Sequence, residues 1–392
     1  MNDTGRPTTS LSEGRQRIVL VSPLPPPLGG LTVWTEEFLR TAEILGPDIS
    51  LVNISPGGDR VNAHSRIRVD RMRQMLGSMR ELRRVLPGHE IAHLCTTWFY
   101  SLVREGVFAR IARRAGVVPV LHVHASTEVA ASVSGLSRVK TAILAWWLEP
   151  FAAIVVLTHD LREVLIASLP RQRVVVVPNG VDTDRFSPPA SRDSSPGTAS
   201  VSVLFVGRLS VDKGFCELAA AVAANPNVSL TTIGDRPDRG ESAHSSAIDA
   251  ALDALRATGR HTHFATVGRE AIAEHYRSAE VFVLPSHREG MPVSLLEAMS
   301  SGLACVVTPV GAMGDIVSCA PESFAIVVDV GDAPGLTAAL ETLSADAALR
   351  LRMGTAARRL AVSGFSSAGS MAAMEALYAD LTRPSDGTGR TG

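Results

Sequence analysis

Four cysteines in 392 residues are too few and too scattered for a disulfide framework. Cys95, Cys216, Cys305 and Cys319 form no close pair, and none has metal-type spacing to a histidine. Three lie in or beside apolar segments, so buried, reduced thiols of a cytosolic protein are expected. The N-terminal MNDTGRPTTSLSEGRQR lacks the apolar core of a signal peptide. Long apolar runs are missing too. The best, AILAWWLEPFAAIVVL, is interrupted by Glu149-Pro150 and reads as a helix followed by a strand, a poor membrane span. No short-period repeat is visible, which argues against a solenoid. Aromatics are scarce at 5%, and the formal net charge is only −1. That balance hides an asymmetry: residues 1–185 carry 22 Lys+Arg against 17 Asp+Glu, the remainder 16 against 22. Such a chain is not a general nucleic-acid binder, although a local basic surface remains open to it.

What is present is alternation. After a polar tail (residues 1–16), β-branched runs alternate with helical ones: IVLVS, a helix from about Thr32, ISLVNI, a helix over Ile67–Leu86, then IAHLC, VPVLHVH, IVVL and VVVV. The serine- and proline-rich SPPASRDSSPGTAS at 187–200 reads as a linker. The pattern then restarts with VSVLFVG, a helix from about Phe215, VSLTTIG, HFATV, VFVLP, ACVVT and AIVVD. Short β-branched strands separated by helices imply parallel sheets covered on both faces. The expected fold class is α/β: two doubly wound domains, 17–186 and 201–367, facing a central cleft at their carboxyl edges.

Pro285–Gly311, PSHREGMPVSLLEAMSSGLACVVTPVG, is the stretch around which the chain is organised. A strand ends, a polar loop follows, and a helix begins with Pro292 near its first position, where a missing N–H costs nothing. Leu295 faces the core; Glu297, about 200° further round, is expected to point away from it. Glu289 precedes the helix. Two carboxylates thus flank a helix N-terminus whose free N–H groups favour an anion. Phosphate on the amides and sugar hydroxyls on the carboxylates would suit it.

Other candidates are weaker alone. Gly29-Gly30 follows the first strand and would let backbone approach a phosphate or sugar, or simply form a turn. It is not a G-x-G-x-x-G pattern, which disfavours a dinucleotide. In VGRLSVDKG, Arg208 and Lys213 leave a strand edge together, as two cations for a diphosphate or as a solvated basic loop. His122 and His124 share one face of a strand; they lack a third metal ligand of suitable spacing, and a core histidine is the ordinary alternative for either. PNGVD (Pro178–Asp182) and IGD (Ile233–Asp235) read as structural turns.

In this order and spacing these pieces resemble glycosyltransferase family 4, the retaining, metal-independent enzymes of GT-B fold with two Rossmann-like domains. The resemblance spans nearly the whole chain and rests on Gly29-Gly30, the strand-end histidine, PNGVD, GRLSVDKG, IGD and above all Glu289-x(7)-Glu297. It implies transfer of a sugar from a UDP- or GDP-sugar to an acceptor hydroxyl, with no cofactor and no metal. By it, Arg208 and Lys213 hold the diphosphate, and Gly290, Met291, Pro292 and Val293 line the donor sugar and phosphate. Glu289 touches the sugar, Glu297 the ribose, and backbone at Val267 the base. His124 matches the family's histidine better than His122, with Ala125-Ser126-Thr127 behind it. The last helix, 368–382, would cross back to the first domain, although Phe365-Ser366 is followed by Ser367 instead of the aromatic frequent there. A nucleotide-sugar epimerase and a non-catalytic nucleotide-sugar-binding subunit are the rival readings, and Glu289-x(7)-Glu297 argues against the first.

From Arg66 to Arg84 seven arginines stand against Asp70 and Glu81. Met72, Met75, Leu76, Met79 and Leu82 recur at helical spacing, giving an amphipathic helix with a basic face. It either packs on the first sheet with solvated arginines or attaches peripherally to anionic lipid at the inner face of the membrane, as a lipid-linked acceptor in cell-envelope polysaccharide or glycolipid assembly would suit.

Overall fold

The protein is described from a computed structural model, over residues 15–25, 29–55, 67–97, 100–125, 127–190, 200–236 and 243–383. Most of the N-terminal tail, residues 191–199 of the linker, Ser126, Arg66 and the side chains of 67–72 lie outside that set.

Two six-stranded parallel sheets form the frame. In the first, β1 (Arg17–Ser22), β2 (Asp48–Asn53), β3 (Ile91–Thr96), β4 (Val118–Val123), β5 (Ala153–Val156) and β6 (Val174–Val176) run in the order β2-β1-β3-β4-β5-β6. In the second, β7 (Val201–Val206), β8 (Val228–Ile233), β9 (His261–Phe264), β10 (Val281–Leu284), β11 (Ala304–Val307) and β12 (Ala325–Val327) run in the order β12-β11-β10-β7-β8-β9. Each order reverses direction once, between β1 and β3 and between β7 and β10. Loops diverge at such a point and leave a crevice at the strands' carboxyl ends.

Val, Ile and Leu on both faces of the central strands explain the parallel arrangement, since such sheets must be covered twice. On one face of the first sheet lie α2 (Ile67–Val85), α3 (Tyr100–Arg114), α4 (Thr127–Ser134), α5 (Arg138–Leu148) and α6 (His159–Ser168). They bury Leu82, Leu86, Phe108, Ala109, Val129, Leu148 and Leu161 there. The other face is covered by α1 (Gly30–Leu45) and by the last helix, α14 (Ser367–Thr382), whose Met371, Met374 and Tyr378 pack with Ile18, Leu20 and Trp34. The spacing of those three residues puts them on one helical stripe. The C-terminal helix is therefore built into the first domain's core.

In the second domain α7 (Phe215–Ala224), α8 (Ala243–Ala257), α9 (Arg269–Ser278), α10 (Val293–Ser300), α11 (Ala312–Ser318), α12 (Ala333–Ala345) and α13 (Ala347–Gly364) surround one continuous core. One strand differs from expectation. In place of the extended run HFATV, β9 is His261–Phe264, the four residues that pair with Leu230–Ile233 of β8, and Thr232 Oγ1 lies within hydrogen-bond distance of both His261 Nε2 and His263 Nδ1. Cys95 and Cys305 are buried, Cys216 is half-buried and Cys319 is exposed.

The domains are joined twice. Val181 N–H donates to Phe365 O at 2.8 Å and Ser367 N–H to Val181 O at 2.9 Å, so the two crossing segments pair. The segments approach closely here: a Cβ on Gly180 would come within 2.6 Å of Ser367 Cα.

Candidate active site

The loops after β7 and β10 meet at the second sheet's switch point. The first contains a single 3₁₀ turn (Val211–Lys213) closed by Gly214 at φ 66°. A Cβ there would lie 2.0 Å from Pro285 O, so glycine is required by conformation and by close approach alike. Further bonds tie the loops together. His287 N–H donates to Asp212 O at 2.8 Å, Arg288 pairs with Asp212 at 3.1 Å, and His287 Nε2 lies 2.9 Å from Glu217 Oε1.

Into this frame project Lys213 and Glu289, with Nζ 2.6 Å from Oε1. Ser286 Oγ donates to the same carboxylate oxygen at 2.8 Å. Both side chains are largely buried, at 23% and 9% exposure, so the attraction between them is less screened than at an open surface. Gly311, at φ 56°, leads into α11; a Cβ on it would come within 2.2 Å of Glu289 O. Ala312 N–H donates to Gly290 O at 2.8 Å.

Gly290 faces the other domain. A Cβ on it would approach His124 O to 2.5 Å, so the cleft is bridged here backbone to backbone. Asn179 Nδ2 donates to Met291 O at 3.0 Å across the same gap, consistent with a structural role for PNGVD. On the first domain's side, His124 follows β4 and lies against Trp34 (ring centroids 4.4 Å) and His122 (4.0 Å). The half-buried His124 leaves Nε2 buried without a hydrogen-bond partner among the described residues. Burial, and then neighbouring His93, pull its pKa down to about 3, so the ring is neutral at physiological pH.

Several expectations need correction. α10 has no solvent face at Glu297: it is buried, and its Oε2 accepts from Tyr276 OH on α9 at 2.7 Å. The helix is enclosed on nearly every side, so the amphipathic reading fails, and Tyr276 is the partner the sequence did not disclose. Met291, Pro292 and Val293 are buried as well; they can offer a ligand backbone groups, not side chains. Pro292 is the N-cap of α10, one position outside it. Val267 is half-buried against the core just before α9. Arg208 is exposed, with no ion-pair partner among the described residues. Gly29 and Gly30 are exposed at the start of α1, where a Cβ on either would meet nothing within 4 Å.

The two histidines also have a third neighbour. Cys95 lies directly opposite His122 in the β3–β4 register, and His93, Cys95 and His122 bring possible ligand atoms within 4.8 Å of one another. Spacing along the chain concealed this because the residues come from adjacent strands; the repeat His93-x-Cys95 on β3 was the available signal. Part of their bonding is met within the group, although His122 Nε2 is buried with no hydrogen-bond partner among the described residues. His93 Nε2 meets His122 Nδ1 at 3.1 Å and His93 Nδ1 meets Tyr378 OH at 2.6 Å. Burial holds His93 down to about 3 and His122 well below its ordinary value. A separate cavity of about 370 Å³ beside β9, lined by Leu209, Arg236, Leu252, Arg256, His261 and His263, includes none of the site residues.

Two doubly wound domains with a lysine–glutamate pair at the second switch point, closed against a strand-end histidine of the first, define a glycosyltransferase of GT-B fold. The family model described as Glycosyltransferase Family 4 matches residues 28–185, and that described as Glycosyl transferases group 1 matches residues 200–346. The chain belongs to glycosyltransferase family 4. It is 28% identical over 299 residues to the Escherichia coli UDP-Gal:alpha-D-GlcNAc-diphosphoundecaprenol alpha-1,3-galactosyltransferase, covering 71% of this chain and 73% of that one. The D-inositol 3-phosphate glycosyltransferase of Xylanimonas cellulosilytica is 30% identical over 222 residues, 54% of this chain and 52% of that one. In structure, sucrose-phosphate synthase from Thermosynechococcus elongatus superposes with a TM-score of 0.74 at 21% identity, over 94% of this chain and 99% of its own.

Proposed function

We propose that this glycosyltransferase moves a sugar from a UDP- or GDP-sugar to an acceptor hydroxyl with retained anomeric configuration and without a metal ion, in cell-envelope polysaccharide or glycolipid assembly. The observation that carries the reading is the Lys213–Glu289 pair, just before α10, with Gly290 beside it against His124 of the other domain. A diphosphate placed there would draw Lys213 from Glu289, meet Arg208, and accept from backbone N–H groups at the helix start. Glu289, released, accepts from sugar hydroxyls, and neutral His124 shares a further one.

In the reaction the bond from the anomeric carbon to the diphosphate oxygen breaks, and its electron pair leaves with the phosphate. The acceptor oxygen bonds to that carbon from the same face, and its proton passes to the departing phosphate. Charge accumulates on the diphosphate, so fixed cations and helix-end amides there stabilise the transition state more than the ground state. No second carboxylate is needed as a covalent nucleophile, in contrast to retaining glycosidases. The E. coli relative, which by its name uses UDP-Gal and a lipid diphosphate acceptor, supports both the donor class and a lipid-linked acceptor.

The test is incubation with UDP- and GDP-sugars, scoring nucleoside diphosphate release with and without acceptor, and the product anomer by NMR. Acceptor-dependent release, retained configuration, full activity in EDTA and a loss with Glu289→Ala for every donor are expected. Inverted product, or activity abolished by chelation and restored by a divalent ion, would overturn the corresponding part.

A further inference from the structure

Large apolar side chains stand exposed on one helix of the first domain. On α5, Val139 is 70%, Ile143 60% and Trp146 62% exposed. With Ala142, also exposed, they follow i, i+3, i+4, i+7 spacing and form a single stripe. Arg138 and Lys140, both exposed, fall about 100° to either side of that stripe. Leu148, on the opposite side, enters the core. The stripe is therefore an additional apolar face of a helix already docked by its other side.

Its setting is rigid and basic. Trp147 Nε1 donates to Leu102 O on α3 at 2.8 Å, and the Arg110 guanidinium carbon sits 4.6 Å from the centroids of both Trp146 and Trp147. Arg114 of α3 and Arg73, Arg80, Arg83 and Arg84 of α2 are exposed, whereas Arg113 is paired with Glu149, just after α5, at 2.8 Å. These helices cover the same face of the first sheet.

We infer that α5 is a membrane-docking element: Val139, Ile143 and Trp146 enter the headgroup–acyl boundary of an anionic bilayer, with Arg138, Lys140 and the arginines of α2 and α3 against its phosphates. The occupant follows from charge and size. Cations on both sides of a narrow apolar stripe match an anionic lipid surface, and tryptophan favours that interface because its ring is apolar with one polar N–H. Three large side chains cannot supply the roughly 800 Å² per partner that a stable protein interface needs. This moves the insertion itself from α2, where basic residues dominate, to α5; the α2 arginines add attraction only. Docking stands on this surface alone and is read without donor or acceptor, so its failure and that of the proposed reaction are separate results.

The experiment is flotation of the full chain with vesicles of phosphatidylcholine plus phosphatidylglycerol, and with phosphatidylcholine alone, at low and high salt. Binding to the anionic vesicles, with a blue shift of tryptophan emission that Trp146→Phe removes, is expected. Val139→Ser with Ile143→Ser should weaken partition roughly tenfold or more at any salt, by loss of apolar transfer. Arg138→Ser and Lys140→Ser should each weaken it about fivefold, at low salt only. Ile44→Ser with Leu45→Ser, exposed at the end of α1 on the opposite face, should change nothing. All these positions are exposed, and the circular dichroism spectrum of each variant should match that of the wild-type chain. No binding by the wild-type chain, unchanged binding by the Val139/Ile143 variant, or a dimer in solution that this variant dissociates would each overturn the inference.

Discussion

Lys213 and Glu289 stand on different strand-end loops, yet Nζ and Oε1 are 2.6 Å apart. Each holds the other's charge in a place that shields both from water, so removing either takes the counter-charge from its partner. Lys213→Ala should lower kcat by about 10²–10³, and Glu289→Ala by a comparable factor. Because the residues act on each other, the double variant should lose much less than the product of the two single losses. Nucleoside diphosphate release measures all three; strictly multiplicative losses would exclude the coupling.

Arg208 supplies the complementary case. It is exposed with no ion-pair partner among the described residues, so its removal costs the fold little. Arg208→Ala should leave the Tm within error while turnover falls about 10²-fold or more. Near-normal turnover in both Arg208→Ala and Lys213→Ala would remove the diphosphate assignment.

The Glu297–Tyr276 bond makes a ribose-binding role for Glu297 testable against a structural one. Tyr276→Phe removes a donor from a buried carboxylate and should cost about 1–3 kcal/mol of stability. Glu297→Gln keeps an acceptor for the tyrosine and should cost less. Calorimetry with free nucleoside diphosphate then separates the roles: weaker binding by Glu297→Gln with little change in Tm supports the ribose contact. Unchanged affinity assigns Glu297 to the fold alone.

Two glycines of the site should fail differently. Gly214→Ala places a Cβ 2.0 Å from Pro285 O at a positive φ and should destabilise the second domain, seen as a lower Tm. Gly290→Ala meets His124 O across the cleft, where the domains can part instead of unfolding. It should lower kcat with a much smaller drop in Tm. Equal Tm losses would show that the cleft is not a movable boundary.

Stability should fall in acid, with a sign set by buried histidines. His93 titrates near 3 and His122 well below 6.5, so below pH 6.5 the unfolded chain takes up protons that the folded one refuses. Each then withdraws about 1.4 kcal/mol of stability per pH unit. Glu105, fully buried and raised to about 7 from 4.5, acts oppositely between those values, since the folded state holds its proton more tightly. With His124 also held near 3, three histidines outweigh that one carboxyl, so stability should already decline between pH 6.5 and 4.5 and decline more steeply below 4.5, where Glu105 is protonated in both states. Denaturant titrations across this range test it, with His93→Gln expected to flatten the slope.

Much of this was legible because β-branched runs and strand-end glycines are local signals. VSVLFVG, VFVLP and the GRLSVDKG loop placed Lys213 and Glu289 at strand ends from the chain alone. Contacts made by tertiary packing were not legible. Tyr276 lies 21 residues from Glu297 on another helix, and no periodicity in α10 shows that α9 covers its second side. His93 joined His122 only because β3 and β4 pair in a register that sets Cys95 against His122. In α5, the sequence AILAWW reads as core by composition; only its packing shows which residues the fold leaves outside.

The two passages of chain between the domains are fastened to each other at Val181, Phe365 and Ser367, and Arg358 reinforces them by donating to Thr183 O and Phe186 O. A single strand there would swivel freely, whereas two bonded side by side behave as the pin of a door. Lys213 and Glu289 stand on one leaf and His124 on the other, so a turn about that axis would part the ion pair from the histidine without breaking it. In the proposed reaction such a turn would open a gap along one direction, through which a spent nucleotide would leave while the half of the molecule that held it kept its shape.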